Sequence, residues 1–565
     1  MNSNLTEATK SFNLFTGGKL SSSDSLLLDQ LEPSVIGKYS EFTDELIRIN
    51  KLQGLSLLLN LSCRNTLASP LLDLFCKISL LEEKLKKLDD IRVIYVDNYQ
   101  ISEVVNELLL KYKYSADVKV VSDKKNLYLH VIFNFIKSTY LAIVYWLWSR
   151  LMGLKMTPTG KILFVDNFIL IDSFKSNGSF VDRYYPTHED YLSEDERDAR
   201  WYAPTLVGIN YLRQMLQVGQ GVKSSKDNFL IQEAWLKISD YLYAIYFSLL
   251  IPFKVKDIPK FKGLDFQNFI FRENFKDIAS PSLMLAICKY RFIRRLSKEK
   301  VDICGVVDWN ENQIIDRALN LGFKDYYKEV TVHGYQGFVL PEYYACVQPT
   351  CLEYSLRTLP DIMHVPGKAG NALRKSVCTK LLVKISPAFR FSHVFNIKDL
   401  RSKKLPIIIV ALPMMLSESR NIILSIIDIQ ESLNVSVRLI IKLHPSNTIK
   451  DFFVSVPEAK NLEITDKNMH QLLELCSVMI SSTSSACVEA VSVGIPVAIY
   501  GNRYGVTLNP IPESVPNEIW EVFYTKSQLV LFINQALGKK NRHSIVNDLF
   551  HPVSKKGARE LFTLP

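Results

Sequence analysis

The chain is poor in the residues that punctuate and staple small folds. It has 22 glycines and 23 prolines in 565 residues, and nine cysteines of which no two are spaced Cys-x-x-Cys. An odd number of cysteines scattered through apolar runs excludes a disulfide framework and a zinc ribbon. It is what reduced, mostly buried thiols in a cytoplasmic protein look like. The sequence has no Gly-x-x-x-x-Gly-Lys-Ser/Thr loop, no Gly-x-Gly-x-x-Gly and no Gly-x-Ser-x-Gly, which removes support for ATPase, dinucleotide and serine-hydrolase readings. Asp-x-Asp is missing too, which argues against a metal-dependent transferase, and no metal site is expected. The opening MNSNLTEATKSFNLFTGG has no basic segment followed by a long apolar one, so no secretory leader is expected.

Hydrophobic residues make up 47% and charged residues 22%, an ordinary globular balance. The length suits two large lobes. Sixty-eight Lys and Arg against 58 Asp and Glu give a formal charge of +10. This mild excess suits nucleotides, acidic sugars or an anionic membrane face better than nucleic acid. Two apolar stretches bear on membranes. Residues 128–148 (YLHVIFNFIKSTYLAIVYWLW) are long enough to span but carry His130, Asn134 and Lys137, and 241–253 is too short and contains Pro252. Each reads either as a core helix or as a helix lying in a membrane interface.

Along the chain, residues 1–35 are rich in Ser, Asn and Thr and are expected to be loose, and 40–90 to be helical. IRVIYVD, SEVVNELLLKYK and VKVVS then form a strand–helix–strand unit, the mark of a parallel sheet. A first lobe is expected over 91–365, with strands at KILFVDNFILID, VDICGVVDW, EVTVHG, YYACVQPT and DIMHVPG. Residues 366–404, irregular and basic, read as a linker. From 405 to 565, continuous apolar strands alternate with helices (LPIIIVALPM, SVRLIIKLHP, VMISS, PVAIYG), the doubly wound pattern. The fold class is therefore α/β, with two Rossmann-like lobes facing a cleft and extra N-terminal helices.

Open parallel sheets bind ligands at the carboxyl ends of their strands. In the second lobe one strand ends in Lys442-Leu-His444-Pro445-Ser446, placing an imidazole that donates to phosphate or ribose oxygens behind a turn fixed by proline. Another ends in Ser481-Ser482-Thr483-Ser484-Ser485 before a helix carrying Glu489. One N-cap explains one hydroxyl, not five, so the cluster reads as an anion cradle, with Glu489 in reach of a ribose. KLHPS followed by ISSTSSACVEAVSVGIPVAIYG resembles the His-Pro and Ser-Ser motifs of two-lobed GT-B glycosyltransferases that hold cytidine nucleotides. Bacterial sialyltransferases and Kdo transferases using CMP-sugars carry such motifs, and CDP-glycerol glycerophosphotransferases look similar.

The resemblance implies a transferase of bacterial surface-polysaccharide synthesis that moves an ulosonic acid from a CMP-sugar to a glycan acceptor. The acceptor would be lipid-linked and met at the cytoplasmic membrane face, and no cofactor is implied beyond the donor. His444 with Pro445 would be the first motif and Ser484 with Ser485 the second. A CDP-polyol donor, a UDP- or GDP-sugar donor, and an inactive scaffold remain as alternatives.

The first lobe should then supply the catalytic group. Candidates are Asp166 and Asp172 in KILFVDNFILID, Asp308 and Glu311 in DWNENQ, and His333 before GYQGF, since transfer needs a carboxylate or imidazole base or nucleophile. Gln313 and Gln336 neighbour them, and glycines 334 and 337 are expected to permit an unusual turn. Arg183 and Arg291, the latter clustered with Arg294 and Arg295, are candidates for a donor carboxylate.

Overall fold

The computed structural model describes residues 11–563 except 67, 122–126, 176, 210, 338, 340, 342–343, 402–404, 428 and 539–542, and except the side chains at 373–376 and 461. Three short strands, β1 (Ser11–Asn13), β2 (Val93–Val96) and β3 (Asp117–Val120), pair in parallel in that order. The sequence reading left residues 11–35 loose and gave β2 and β3 to the first lobe. Instead Phe12 is buried opposite Ile94, and the 28-residue helix Ser22–Ile49 opens on Ser21, whose hydroxyl accepts from the Asp24 N–H. Residues 1–10 of that stretch lie outside the described ones. Phe12, Leu14, Leu20, Leu28 and Val35 bury the apolar side of an otherwise polar segment.

The first lobe contains β4 (Ile162–Val165), β5 (Phe168–Ile169), β6 (Arg200–Tyr202), β7 (Thr205–Leu206), β8 (Asn228–Phe229), β9 (Ile303–Trp309), β10 (Val332–Tyr335), β11 (Ile362–Val365) and β12 (Leu382–Ile385). Seven of them form one sheet in the order β12-β11-β10-β9-β4-β6-β8, and β5 pairs with β7. Residues 345–347 form a 3-10 turn rather than the expected strand. β12 lies inside the segment read as a linker and extends the sheet beside β11.

The second lobe holds β13 (Ile407–Ala411), β14 (Arg438–Lys442), β15 (Glu463–Thr465), β16 (Cys476–Ser481), β17 (Val497–Tyr500) and β18 (Trp520–Phe523), ordered β15-β14-β13-β16-β17-β18. Numbered within the lobe this is 3-2-1-4-5-6, the doubly wound order. The first lobe read from β8 repeats it and adds β12 at the end. All pairings within both large sheets are parallel. The central strands β13 and β16 are buried at every residue, as sheets covered on both faces require.

Three pieces of chain bind the lobes to each other. In the 3-10 helix Phe389–Asn396, Phe389 enters the first-lobe core while Phe391 and Val394 enter the second. The C-terminal helix Lys555–Phe562 returns to the first lobe, where Phe562 meets His188 at 4.4 Å and Tyr185 at 5.2 Å between ring centres. Just before it the chain passes Gly367 so closely that a Cβ there would sit 1.7 Å from the Leu549 carbonyl oxygen. The N-terminal module touches both lobes. Asp29 accepts from the Thr507 N–H at 2.9 Å and from the Tyr524 hydroxyl at 2.5 Å in the second lobe. Arg64 pairs with Glu353 of the first lobe at 2.7 Å, and Arg317 shares that carboxylate. All three of these charges are at most 2% exposed, so removing any one strands the others at a cost of about 3–5 kcal/mol.

Candidate functional site

Strand order alone fixes where each lobe has a crevice: between its first and fourth strands, at the carboxyl ends. In the second lobe that crevice opens between β13 and β16 and faces the carboxyl end of β9 across a cavity of about 470 Å³. The second-lobe wall contains His444, Ser482, Thr483, Ser484 and Ser485, and the opposite wall contains Glu311 and Arg390. Six sequence candidates therefore meet in one cleft, of a size usual for small-molecule sites.

His444 follows β14, and its Nδ1 accepts from the Ser446 backbone N–H at 3.2 Å and lies 2.7 Å from the Ser446 hydroxyl. A backbone N–H only donates, so Nδ1 is the acceptor nitrogen and the ring proton is assigned to Nε2. Burial and then the Arg390 guanidinium hold this imidazole below its usual range, so near neutral pH it is an uncharged donor. The turn from β16 into the helix Ala486–Ser492 leaves most of its hydroxyls uncommitted to capping. Ser484 accepts from the Ala486 N–H at 3.3 Å, and Ser485 makes no side-chain cap.

Glu311 follows β9. Trp309 Nε1 donates to one of its carboxylate oxygens at 3.0 Å and Gln313 Nε2 to the other at 2.9 Å. Burial pushes its carboxyl up, against those two bonds and Arg390. Gln313 thus orients Glu311. Trp309 is packed so tightly that a Cβ on Gly337 would fall 1.8 Å from its ring, and one on Gly334 would fall 2.5 Å from Pro360. Neither glycine has a positive φ. The expected turn with unusual dihedrals gives way to close packing as the reason for glycine.

The remaining candidates lie elsewhere. Asp166 is buried against Lys289 at 2.6 Å, and burial raises its carboxyl. Asp308 is fully buried and accepts from Asn310 Nδ2 at 2.8 Å; desolvation, then the nearby Asp166 charge, push it up to about 8. Asp172 and Arg183 pair with each other at the surface. Arg291 binds the buried Asp240 at 2.6 Å and stacks over Tyr243. His333 points along the sheet to His364 at 2.9 Å, which in turn meets the Ser386 hydroxyl; burial and then Lys384 lower His333. Gln336 is buried after β10, its backbone N–H bonded to the His364 carbonyl. Lys442 is held by the Asp466 carbonyl at 3.0 Å, Ser481 by the Ala411 carbonyl, and Glu489 by His393 at 2.7 Å. Pro445 shapes the His444 turn and is exposed. For the charged and hydroxyl-bearing residues among these, and for His333, internal partners, not the cavity, account for the side chain.

The cavity also contains residues the sequence reading passed over. Arg390 sits where the chain crosses between lobes, in the segment read as a linker; the signal was FRFSH, two phenylalanines anchoring opposite cores around one exposed arginine. Glu418 lies beside the hydroxyl turn, raised by burial against the Ser482 and Thr483 hydroxyls. Tyr500, Asn502 and Thr507 complete that wall. Among the described residues no group of three His, Cys, Asp or Glu is placed to hold a metal ion.

No protein-family model and no curated protein matches the chain. Among solved structures it is similar to Staphylococcus aureus MnaA with UDP, at 11% identity over 71% of this chain and 94% of that one, TM-score 0.41. It is also similar to the lipopolysaccharide outer core galactosyltransferase WaaB (11%, 67% and 90%, TM-score 0.36) and to Anabaena HepE in complex with UDP-glucose (10%, 72% and 96%, TM-score 0.35). Likenesses at this level leave the fold to the strand order and the chemistry to the cleft.

Proposed function

We propose that the protein is a glycosyltransferase of bacterial surface-polysaccharide assembly that takes an ulosonic acid from a CMP-sugar. One observation carries this reading: a neutral imidazole donor and a hydroxyl-rich turn on one lobe face a carboxylate and an arginine on the other across a single cavity. The nucleotide would lie on the second lobe, with Glu418 accepting from ribose hydroxyls and the 482–485 hydroxyls and His444 Nε2–H donating to phosphate. In the transfer, an acceptor hydroxyl oxygen bonds to the anomeric carbon as the bond from that carbon to the phosphate oxygen breaks. Glu311 takes the acceptor proton, and burial has already brought its carboxyl toward the range a base needs. CMP leaves with the electron pair, and its charge meets Arg390 and His444, donors fixed where negative charge appears. Arg390 replaces Arg183 and Arg291 as the cation for the donor carboxylate, because it lines the cavity and those two do not. No cofactor beyond the donor is called for.

A thermal-shift panel of CMP, CDP, UMP, UDP, GDP and dTDP tests the reading. CMP should stabilise the wild type, by about 2.7 kcal/mol at a hundredfold excess over Kd, and should fail to stabilise His444→Ala. Glu311→Gln should keep that stabilisation while turnover of a CMP-sugar falls by roughly 10²–10⁴. A larger response to UDP or GDP would replace the donor class, and no response to any nucleotide would overturn the proposal.

A further inference from the structure

The helix Leu127–Leu151 has its polarity turned inside out. Its body-facing residues include Asn134, Ser138, Ala142 and Trp148. Asn134 donates to the Lys276 carbonyl at 3.2 Å, Ser138 to Ala279 at 2.8 Å, Tyr145 to Ile209 at 2.6 Å and Trp148 to Met215 at 2.7 Å. The outward face is hydrocarbon: Leu129, Phe133, Ile136, Tyr140, Ile143 and Leu147 are 45–63% exposed. Only 11% of its most apolar 18-residue stretch is buried, which removes the core-helix reading of 128–148.

The helix Ile238–Leu250 repeats the arrangement. Asp240, Ala244 and Ser248 face inward, while Leu242 (61%) and Tyr246 (58%) face out, continued by Phe253. The two helices flank one turn, where the Ala279 carbonyl accepts from Ser138 and the Ala279 N–H donates to the Ser248 carbonyl at 3.2 Å. Residues 207–209 and 211–216, tied to the first helix through Ile209 and Met215, add exposed Tyr211 and Leu212.

Exposed charge on these elements and on the turns at the two ends of the second helix has one sign. Lys137, Arg150, Arg213, Lys237 and Lys254 are exposed, and the carboxylate among their described residues, Asp240, is buried between Arg291 and Arg295. Between the helices lies a mostly apolar cavity of about 250 Å³ lined by Leu141, Tyr241, Met284 and Leu285, with exposed Lys137 also on its wall. Glu233 and Tyr241 line it as well, and a carboxyl oxygen of the one and the hydroxyl of the other are buried without a hydrogen-bond partner.

We propose that the helices Leu127–Leu151 and Ile238–Leu250, with residues 207–209 and 211–216, form a monotopic docking face for an anionic lipid bilayer, the slot between the helices admitting one hydrocarbon chain. The first helix is long enough to cross a membrane, but hydrogen bonds from Asn134 to Trp148 tie it along the protein body, so it lies flat in the interface. Aromatic and aliphatic side chains enter the acyl boundary and the surrounding cations meet lipid phosphates. A narrow, mostly apolar slot between two outward-facing apolar helices suits a lipid chain rather than the flat face of a protein partner. The inference stands on this surface alone, so vesicle binding and the nucleotide response fail independently.

The full chain is to be floated with vesicles of phosphatidylcholine alone and of phosphatidylcholine with 30 mol% phosphatidylglycerol as an order-of-magnitude working composition. The wild type is expected on the anionic vesicles at least about tenfold more than on the neutral ones, less so in high salt. Ile136→Asp/Ile143→Asp and Leu242→Asp/Tyr246→Asp should each abolish flotation while keeping the wild-type melting temperature, since all four side chains already face solvent. In Leu242→Trp, the new indole should be quenched by bromine-labelled acyl chains, which reports insertion even if the aspartate variants fold poorly. Wild-type protein that stays soluble with both vesicle types overturns the proposal. So does a dimer in light scattering that the aspartate variants dissociate, which would make this face an interface between copies.

Discussion

Between β4 and β9 the first lobe fills its crevice with the Asp166–Lys289 pair, Asp308, and Trp309 wedged against Gly337. Between β13 and β16 the second lobe leaves the corresponding crevice lined by hydroxyls and an imidazole that face a cavity. Strand order is the same in both. Topology therefore fixes where a ligand site can be, and side-chain volume decides whether there is one. Among the described residues, the first lobe contributes to the cleft Glu311, two residues past the buried Trp309, together with Val339, Pro341 and Tyr344.

The sharpest test of that contrast is charge removal in the filled crevice. Asp166→Asn leaves the Lys289 ammonium buried without a counter-charge and should cost about 3–5 kcal/mol in urea denaturation, most of it recovered by adding Lys289→Met. A next-smaller effect, about 1–3 kcal/mol, is expected for Gly337→Ala, because its methyl group must displace the Trp309 ring; tryptophan fluorescence should shift with it. Asp308→Asn should act through pH. The native carboxyl titrates near 8 against 3.8 unfolded, so between those values the folded protein holds a proton that the unfolded chain gives up. That stability is complete below about 4 and is lost as pH rises through 8. The variant should match the wild type in acid and exceed it increasingly toward pH 8.5 in urea midpoints. Smallest of all, Ser484→Ala in the open crevice should change unliganded stability by no more than about 0.5 kcal/mol while weakening the nucleotide response. If Asp166→Asn proves as mild as Ser484→Ala, the two crevices do not differ in the way described.

Legibility followed strand length and burial. β13 and β16 are five and six residues, buried throughout, and such runs announce themselves. β6 and β8 have three and two residues, too few for any periodicity. His444 and the 482–485 turn were visible because several polar residues terminate apolar strands together. Asp166 and Asp308 terminate strands in the same way, yet their counterparts, Lys289 and Asn310, show that a polar residue at a strand end also serves a buried network. Arg390 was missed because neighbouring basic residues made its segment look like a tether.

The chain passes between the lobes at 389–391, returns through the C-terminal helix, and is bridged again by the N-terminal module through Asp29 on one side and Arg64 on the other. A single crossing would leave the lobes a rotational degree of freedom; three crossings over-determine their separation. Opening the cleft then means breaking the Asp29–Tyr524 and Asp29–Thr507 bonds together with those from Arg503 to the Leu20 carbonyl and from the Val506 N–H to Asp73, so cleft width is coupled to how well the N-terminal module is seated.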